Sequence, residues 1–266
     1  MYKCKNIIIF TLTLLMTIRI SHAENKTKIL KIGYQDNAGF PLVMGTGPKI
    51  GSPPGVGVDI INQVAKDLNI KIHIRRLPNK RVHLYLQDGE FDGSGFYSFH
   101  KDRQNEGVYP MKDGKVDTTK RVFVLSYHMY VPQGSSVIWD GKKITGAKSV
   151  GANMGYSVVK DLKRMGIHVN EVKSVKQNLD MLQAGRIGAY AAQDGTIDQI
   201  IKSYPEYGNI MKVGPPIKTK EYYFMFSHQY YKENRKMAHK IWDQIEKVRK
   251  SVIEKYRRID LKPKLE

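Results

Sequence analysis

The chain has 266 residues, 41% of them hydrophobic, one cysteine and a formal net charge of +19. That length and apolar content suffice for one large or two ordinary packed domains that need no disulfides. The basic excess admits nucleic acid, an anionic surface or an anionic ligand, but the basic residues are dispersed. Their densest run, Lys232 to Arg258, alternates with Glu and apolar residues in a helical pattern. It reads as a solvated basic face, so no nucleic-acid partner is expected.

In chain order, Met1, Lys3 and Lys5 form a basic start, Ile7 to Ile18 is almost continuously apolar, and Ser21-His22-Ala23 supplies small residues at the end. This predicts a secretory signal peptide over residues 1–23, cut after Ala23, because the run is shorter than the roughly 20 residues of a membrane span. Removing Lys3, Lys5 and Arg19 from 44 basic residues leaves 41 against 25 acidic, a net +16. The sole cysteine, Cys4, falls inside this segment, no cysteine follows the apolar run, and no second long apolar segment occurs. The expected location is the periplasm of a two-membrane bacterium.

Ile29 to Tyr34 has strand character, and Val58 to Leu68 carries apolar residues at 60, 61, 64, 65 and 68, the spacing of a helix ended by Asn69. Ile70, Ile72 and Ile74 alternate with Lys71, His73 and Arg75 as in a strand; Asn79 to Gln87 reads as a helix stopped by Gly89, and Phe91 to Phe96 as a further strand. The alternation predicts βαβ units and a mainly parallel sheet. The same grammar then recurs. Val64-Ala65-Lys66-Asp67-Leu68 is echoed by Val158-Val159-Lys160-Asp161-Leu162, and Leu86-Gln87-Asp88-Gly89-Glu90-Phe91 by Leu182-Gln183-Ala184-Gly185-Arg186-Ile187, at offsets of 94 and 96 residues. Lys120 to Pro132 and Tyr222 to Phe226 have strand composition, and apolar residues at 237, 241, 245, 248, 252 and 256 mark one face of a long final helix. The predicted class is α/β: two similar lobes joined by two crossing strands, with a ligand cleft between them. Residues 24–125 and 220–266 would form lobe 1 and residues 126–219 lobe 2. Small-molecule sites favour such boundaries.

Catalytic and metal signals are weak. Gly141 to Ser149 is one residue off a phosphate-binding loop, but it leads into strand character at Ser149 to Asn153 instead of opening a helix, so it reads as a charged turn. Eight histidines are present without the close helical spacing of a zinc site, and the mature chain has no thiolate. No Gly-x-Ser-x-Gly elbow occurs. No cofactor and no metal are expected.

Four segments carry a resemblance. They are Gly57-Val58-Asp59-Ile60 after a segment containing Phe40-Pro41; Gly89-Glu90-Phe91-Asp92-Gly93 followed by Ser98 and Lys101 to Glu106; Val150 to Ser157; and Gly185 to Ala189 leading to Gln193-Asp194. In this order they resemble the periplasmic solute-binding proteins of polar amino-acid ABC transporters, solute-binding family 3, with the type II periplasmic-binding fold. The resemblance covers nearly all of the mature chain. It implies that Arg103 clamps a ligand carboxylate, as a guanidinium can with two parallel hydrogen bonds. It implies that Ser98 contributes a hydroxyl, that Gly155, Tyr156 and Ser157 open a second-lobe helix whose free amides favour an anion, and that Asp194 receives the ligand ammonium. Tyr34, Phe40 and Tyr156 would supply apolar walls. Departures are visible: Asp92 to Arg103 is one residue short, Gly185 to Asp194 one residue long, His100 and Gly188 replace commoner residues, and Val43 to Pro54 is a Gly- and Pro-rich insertion.

The resemblance implies an extracytoplasmic protein that captures an amino acid or related carboxylate by lobe closure. It would hand the ligand to an ABC transporter permease, acting as a monomer and not as an enzyme. Rival readings are a ligand-sensing module for a membrane receptor, or a periplasmic dehydratase of cyclic carboxylic acids. The latter would need a general acid, for which His100 and Glu106 are the candidates.

Overall fold

The computed structural model describes residues 29–37 and 39–259; the signal-peptide reading over residues 1–23 lies outside them. The chain runs through β1 (Ile29–Gln35), α1 (Val56–Asp67), β2 (Lys71–Leu77), α2 (Asn79–Gln87) and β3 (Gly93–Ser98). A short turn of 3-10 helix (Lys101–Asn105) and a small hairpin of β4 (Met111–Lys112) and β5 (Lys115–Val116) then precede β6 (Phe123–Pro132). The second half begins with a hairpin of β7 (Ile138–Trp139) and β8 (Ile144–Thr145). It continues through β9 (Val150–Asn153), α3 (Ser157–Arg164), β10 (Val169–Val172), α4 (Val175–Gln183), β11 (Ala189–Gln193) and α5 (Asp194–Ser203). β12 (Ile210–Phe226) and α6 (His228–Arg257) close it.

Eight strands form one sheet in the order β10-β9-β11-β6-β12-β3-β1-β2. The trios β2-β1-β3 and β10-β9-β11 are each parallel and repeat the same order. Between them β6 and β12 run antiparallel to each other and to their outer neighbours. This is the mixed α/β architecture expected, and the two sequence echoes fall on corresponding helices, α1 with α3 and the α2 end with the α4 end. Helices cover both faces. One apolar cluster gathers Leu30, Ile32 and Ile60 with Phe224, Ile241 and Trp242 around α1 and α6, and another gathers Val82, Leu86 and Phe91 under α2. The second half has its own clusters, around Val158 and Leu162 of α3 and around Leu179, Leu182 and Ile197 of α4 and α5.

Local chemistry sets the boundaries. The Ser174 side chain accepts from Gln177 N at 3.1 Å while Gln177 accepts from Ser174 N, a capping box that starts α4. Ser227 Oγ accepts from Tyr230 N at 3.1 Å and starts α6, where Trp242 Nε1 donates to Phe224 O at 2.8 Å from an otherwise apolar site. All six residues of β3 are buried, which its Gly-Ser-Gly start permits: a Cβ on Gly93 would lie 2.5 Å from the Phe224 ring.

Two strands differ from the sequence reading. The strand expected at Phe91 begins at Gly93, because Asp92 turns the chain by accepting from Lys31 N through its carboxylate at 2.7 Å and donating its own N–H to Lys31 O at 2.9 Å. The strand expected over Tyr222 to Phe226 starts at Ile210, because β12 carries Gly214-Pro215-Pro216 through a register break between Val213 and Lys218. Those residues read as a breaker and act as a bulge on a long crossing strand.

Candidate functional site

The C-terminal end of β3, the 3-10 turn after it and the N-terminus of α3 meet across the two halves. They enclose a cavity lined by Gln35, Leu42, Val43, Asn79, Phe96, Tyr97, Ser98, Arg103, Tyr127, Gly155, Tyr156, Ser157, Gln193 and Tyr222. Its free space is about 60 Å³, several times the roughly 10–15 Å³ one water occupies on that measure. Residues of both halves line it, and the Ser98–Ser157 hydrogen bond spans it.

Arg103 projects from the 3-10 turn. Its guanidinium donates to Ser98 O at 3.0 Å and Ser98 Oγ at 3.4 Å and lies 5.4 Å from the centre of the Tyr97 ring. Tyr109 fixes the same carbonyl, donating to Ser98 O at 2.9 Å. Among the described residues Arg103 is in no ion pair. Ser98 Oγ donates across the cleft to Ser157 Oγ at 3.2 Å, on the first residue of α3, where the Ser157 and Val158 amides have no partner within the helix while Val159 N donates to Tyr156 O. Lys220 from β12 donates to the same Ser157 Oγ at 2.9 Å and pairs with Asp161 one turn further along α3. Burial holds the Lys220 ammonium below its ordinary pKa, with Arg103 adding to the effect and Asp161 opposing it. Gly155 has φ of +79°, and a Cβ there would come within 3.3 Å of Asn79 Nδ2 on the opposite lobe. Glycine thus permits both the turn into α3 and the close approach of the lobes.

The floor is a tyrosine cluster on the crossing strands. Gln193 Nε2 donates to Tyr222 Oη at 2.7 Å and Tyr127 Oη at 3.2 Å, and the two hydroxyls are 3.2 Å apart. Burial raises all these phenols, Tyr222, Tyr97 and Tyr156 to about 12, so they are neutral hydrogen-bonding groups near pH 7.

Five of the eight residues expected from the sequence line this cavity: Arg103, Ser98, Gly155, Tyr156 and Ser157. Three do not. Tyr34 is fully buried behind the wall, its ring 5.4 Å from that of Phe96, which faces the cavity in its place. Phe40 presents its carbonyl to Thr196 Oγ1 at 2.8 Å across the hinge and lines a separate groove with Tyr256. Asp194 opens α5, where its carboxylate accepts from Gly195 N at 2.8 Å and Ser126 N at 3.4 Å and lies 3.8 Å from His128 Nε2. Its neighbour Gln193 occupies the cavity wall. Gln193 is the last residue of β11 and Asp194 the first of α5, so the strand end that reaches the cavity carries the glutamine. His100 and Glu106 lie on the far side of Arg103. Glu106 is paired with His83 Nδ1 at 2.6 Å, and His100 Nδ1 accepts from Asp102 N.

Tyr127, Gln193, Lys220 and Tyr222 were not singled out from the sequence, and only the lengthened Gly185–Asp194 segment hinted at any of them. Arg76 was also missed. It is 5% exposed and donates to the carbonyls of Gln35, Asp36, Asn37, Met44, Gly45 and Lys49, binding the Gly- and Pro-rich insertion to the end of β1. Leu42, just before that insertion, and Val43, its first residue, are cavity walls.

No protein-family model and no curated protein matches the chain. Solved structures do. The GluR0 ligand-binding core in complex with L-glutamate is similar at a TM-score of 0.69 and 16% identity, covering 88% of this chain and 98% of that one. A histidine kinase sensor domain with similarity to periplasmic binding proteins gives 0.67 at 14% identity, covering 89% and 98%. The substrate-binding protein of an amino acid ABC transporter gives 0.64 at 16% identity, covering 86% and 98%. The fold is that of the type II periplasmic-binding proteins.

Proposed function

We propose that this chain is an extracytoplasmic solute-binding protein that closes its two lobes on a small carboxylate-bearing ligand and presents the closed form to an ABC transporter permease. The observation that carries the reading is Arg103. Its guanidinium sits half-buried in the interlobe cavity, in no ion pair among the described residues, opposite the first turn of α3 on the other lobe. A carboxylate there would accept two hydrogen bonds from the guanidinium and the Ser98 and Ser157 hydroxyls, which now contact each other. Binding then drives closure, because the Arg103 and Ser98 partners belong to one lobe and the Ser157 partner to the other, so the full set forms only when the lobes meet. The protein acts as a monomeric binder in the periplasm, exported by the leader over residues 1–23. No helix among the described residues is long and apolar enough to cross a membrane.

The likeness to a histidine kinase sensor domain favours a second reading, in which a membrane receptor reads the closed form. Crosslinking of ligand-loaded protein in its native envelope, followed by mass spectrometry of the captured membrane protein, separates the two. The primary test is mass spectrometry of ligand released from purified protein, followed by calorimetric titration. Arg103→Ala should weaken binding of the released carboxylate by about 2–5 kcal/mol, as for removal of one side of a buried charge pair, with an unchanged melt. Unchanged affinity in that variant sinks the carboxylate assignment.

A further inference from the structure

We propose that the cleft selects carboxylates without a protonated amine, such as 2-hydroxy or unsubstituted acids, and rejects the corresponding α-amino acids. This rests on the carboxylate-clamp reading of Arg103. The place where an ammonium would need a counter-charge is held by the neutral amide of Gln193, flanked by the Tyr127 and Tyr222 hydroxyls. No acidic side chain lines the cavity among the described residues. The nearby carboxylates are already engaged: Asp161 by Lys220, Glu106 by His83, and Asp194 by the Gly195 and Ser126 amides.

The protein's own cations argue the same way. Arg103 and Lys220 both approach the cavity, and each lies over a tyrosine ring that an ammonium would otherwise use. Arg103 is 5.4 Å from the Tyr97 centroid and Lys220 Nζ 5.6 Å from that of Tyr127. One face of Phe96 is stacked on Tyr34. An ammonium entering this space would lose its hydration, meet two like charges, and gain only neutral acceptors. Burying a charge without an ionic partner is costly, whereas a hydroxyl or an apolar substituent is accommodated by Gln193 and the tyrosine floor.

The test is calorimetric titration of the purified protein, and of Arg103→Ala and Gln193→Glu, with matched triplets. Each triplet is an L-α-amino acid, its 2-hydroxy analogue and its unsubstituted acid, from glycine up to phenylalanine in size; trimethylglycine is included. In the binding triplet the hydroxy or unsubstituted member should bind at least about tenfold tighter than the amino member, given the cost of an uncompensated buried charge. Arg103→Ala should weaken that binding about thirtyfold or more, and Gln193→Glu should reverse the order by adding a counter-charge for the amine. Equal or tighter binding of the amino member, or tight binding of trimethylglycine, overturns this inference while leaving the carboxylate clamp intact. Binding by no carboxylate in the panel overturns the clamp reading and this inference together.

Discussion

Replacing Arg76 by leucine would release the segment of residues 43–54 from the first lobe. The guanidinium donates to Gln35 O and Asp36 O at 3.0 Å, to Asn37 O and Gly45 O at 2.9 Å, and also reaches Met44 O and Lys49 O. Three of these acceptors, Gln35 to Asn37, lie at or just after the end of β1, and three, Met44, Gly45 and Lys49, on the segment. Hydrogen bonds to a charged group are worth about 1.5–3 kcal/mol each, but six cannot be summed, because the guanidinium's own desolvation offsets much of the gain. Segment carbonyls also regain water when the segment lifts. Counting two bonds as lost outright gives about 3–6 kcal/mol. For a chain of this size each kcal/mol moves the melting temperature by roughly 2–4 °C, so a fall of about 10 °C is expected by calorimetry. Limited proteolysis should show new cleavage within residues 44–51. Arg76→Lys should behave almost as badly, since an ammonium has fewer donors and no planar fork. A melt within about 2 °C of the parent, with an unchanged digestion pattern, would refute the anchoring role.

Two further outcomes follow from buried charges. Lys220→Met should cost about 3 kcal/mol in urea denaturation, the low end for removing one partner of a buried pair, because Arg164 at 3.7 Å still shares the Asp161 charge. The double change Lys220→Met, Asp161→Leu should recover most of that loss; an equally unstable double variant would show the pair itself is not the cause. His128 on β6 is held below its ordinary pKa by burial and by Lys212, against Asp194 and Asp198, and its Nδ1 is buried without a hydrogen-bonding partner among the described residues. The unfolded chain therefore binds the extra proton, so stability is full above the ordinary histidine value of about 6.5 and falls as the pH drops below it. His128→Gln should flatten the loss of melting temperature between pH 7.5 and 5.5; an identical slope in the variant would discount this group.

The fold is legible because its strongest signals are local. The 3.6-residue spacing of α1 and α6, the alternation in β2 and the stop at Gly89 each need only a few neighbouring residues, and the paired echoes report that the pattern is used twice. What hides β12 is also local: Gly214-Pro215-Pro216 is a breaker to any short window, and only pairing with β6 on both sides makes it a bulge. The site is less legible because its geometry is set by register. Arg103, Ser98 and Ser157 come from the resemblance, whose motifs place them beside the turns after β3 and before α3. Gln193 and Asp194 are adjacent, and which one reaches the cavity depends on where β11 ends and α5 begins, with Gln193 the last residue paired to β6, opposite Tyr127. A shift of that boundary by one residue would exchange the two without altering composition. Arg76 is invisible for a different reason: its partners are main-chain carbonyls on a segment with no pattern of its own.

Apart from the buried Lys220–Asp161 pair between β12 and α3, the contacts that hold the lobes together outside the cavity are weak. Lys160 and Asp102 pair across the cleft at 3.3 Å, but both side chains are more than half exposed, and such pairs contribute at most about 1 kcal/mol. The Ser98–Ser157 and Thr196–Phe40 bonds are neutral and trade against water when the lobes part. Gly155 allows close approach without adding attraction. None of these biases the molecule strongly toward the closed form. A ligand shifts such an equilibrium only by its differential affinity for the closed form, and to move it from mostly open to mostly closed requires about 5.5 kcal/mol. A single carboxylate shared by Arg103 and Ser98 on one lobe and the Ser157 turn on the other can supply most of that difference. In the open form it would keep the guanidinium and lose the α3 amides. On the proposed carboxylate clamp, closure is decided mainly inside the cavity, and the substituent that faces Gln193 selects which carboxylates achieve it.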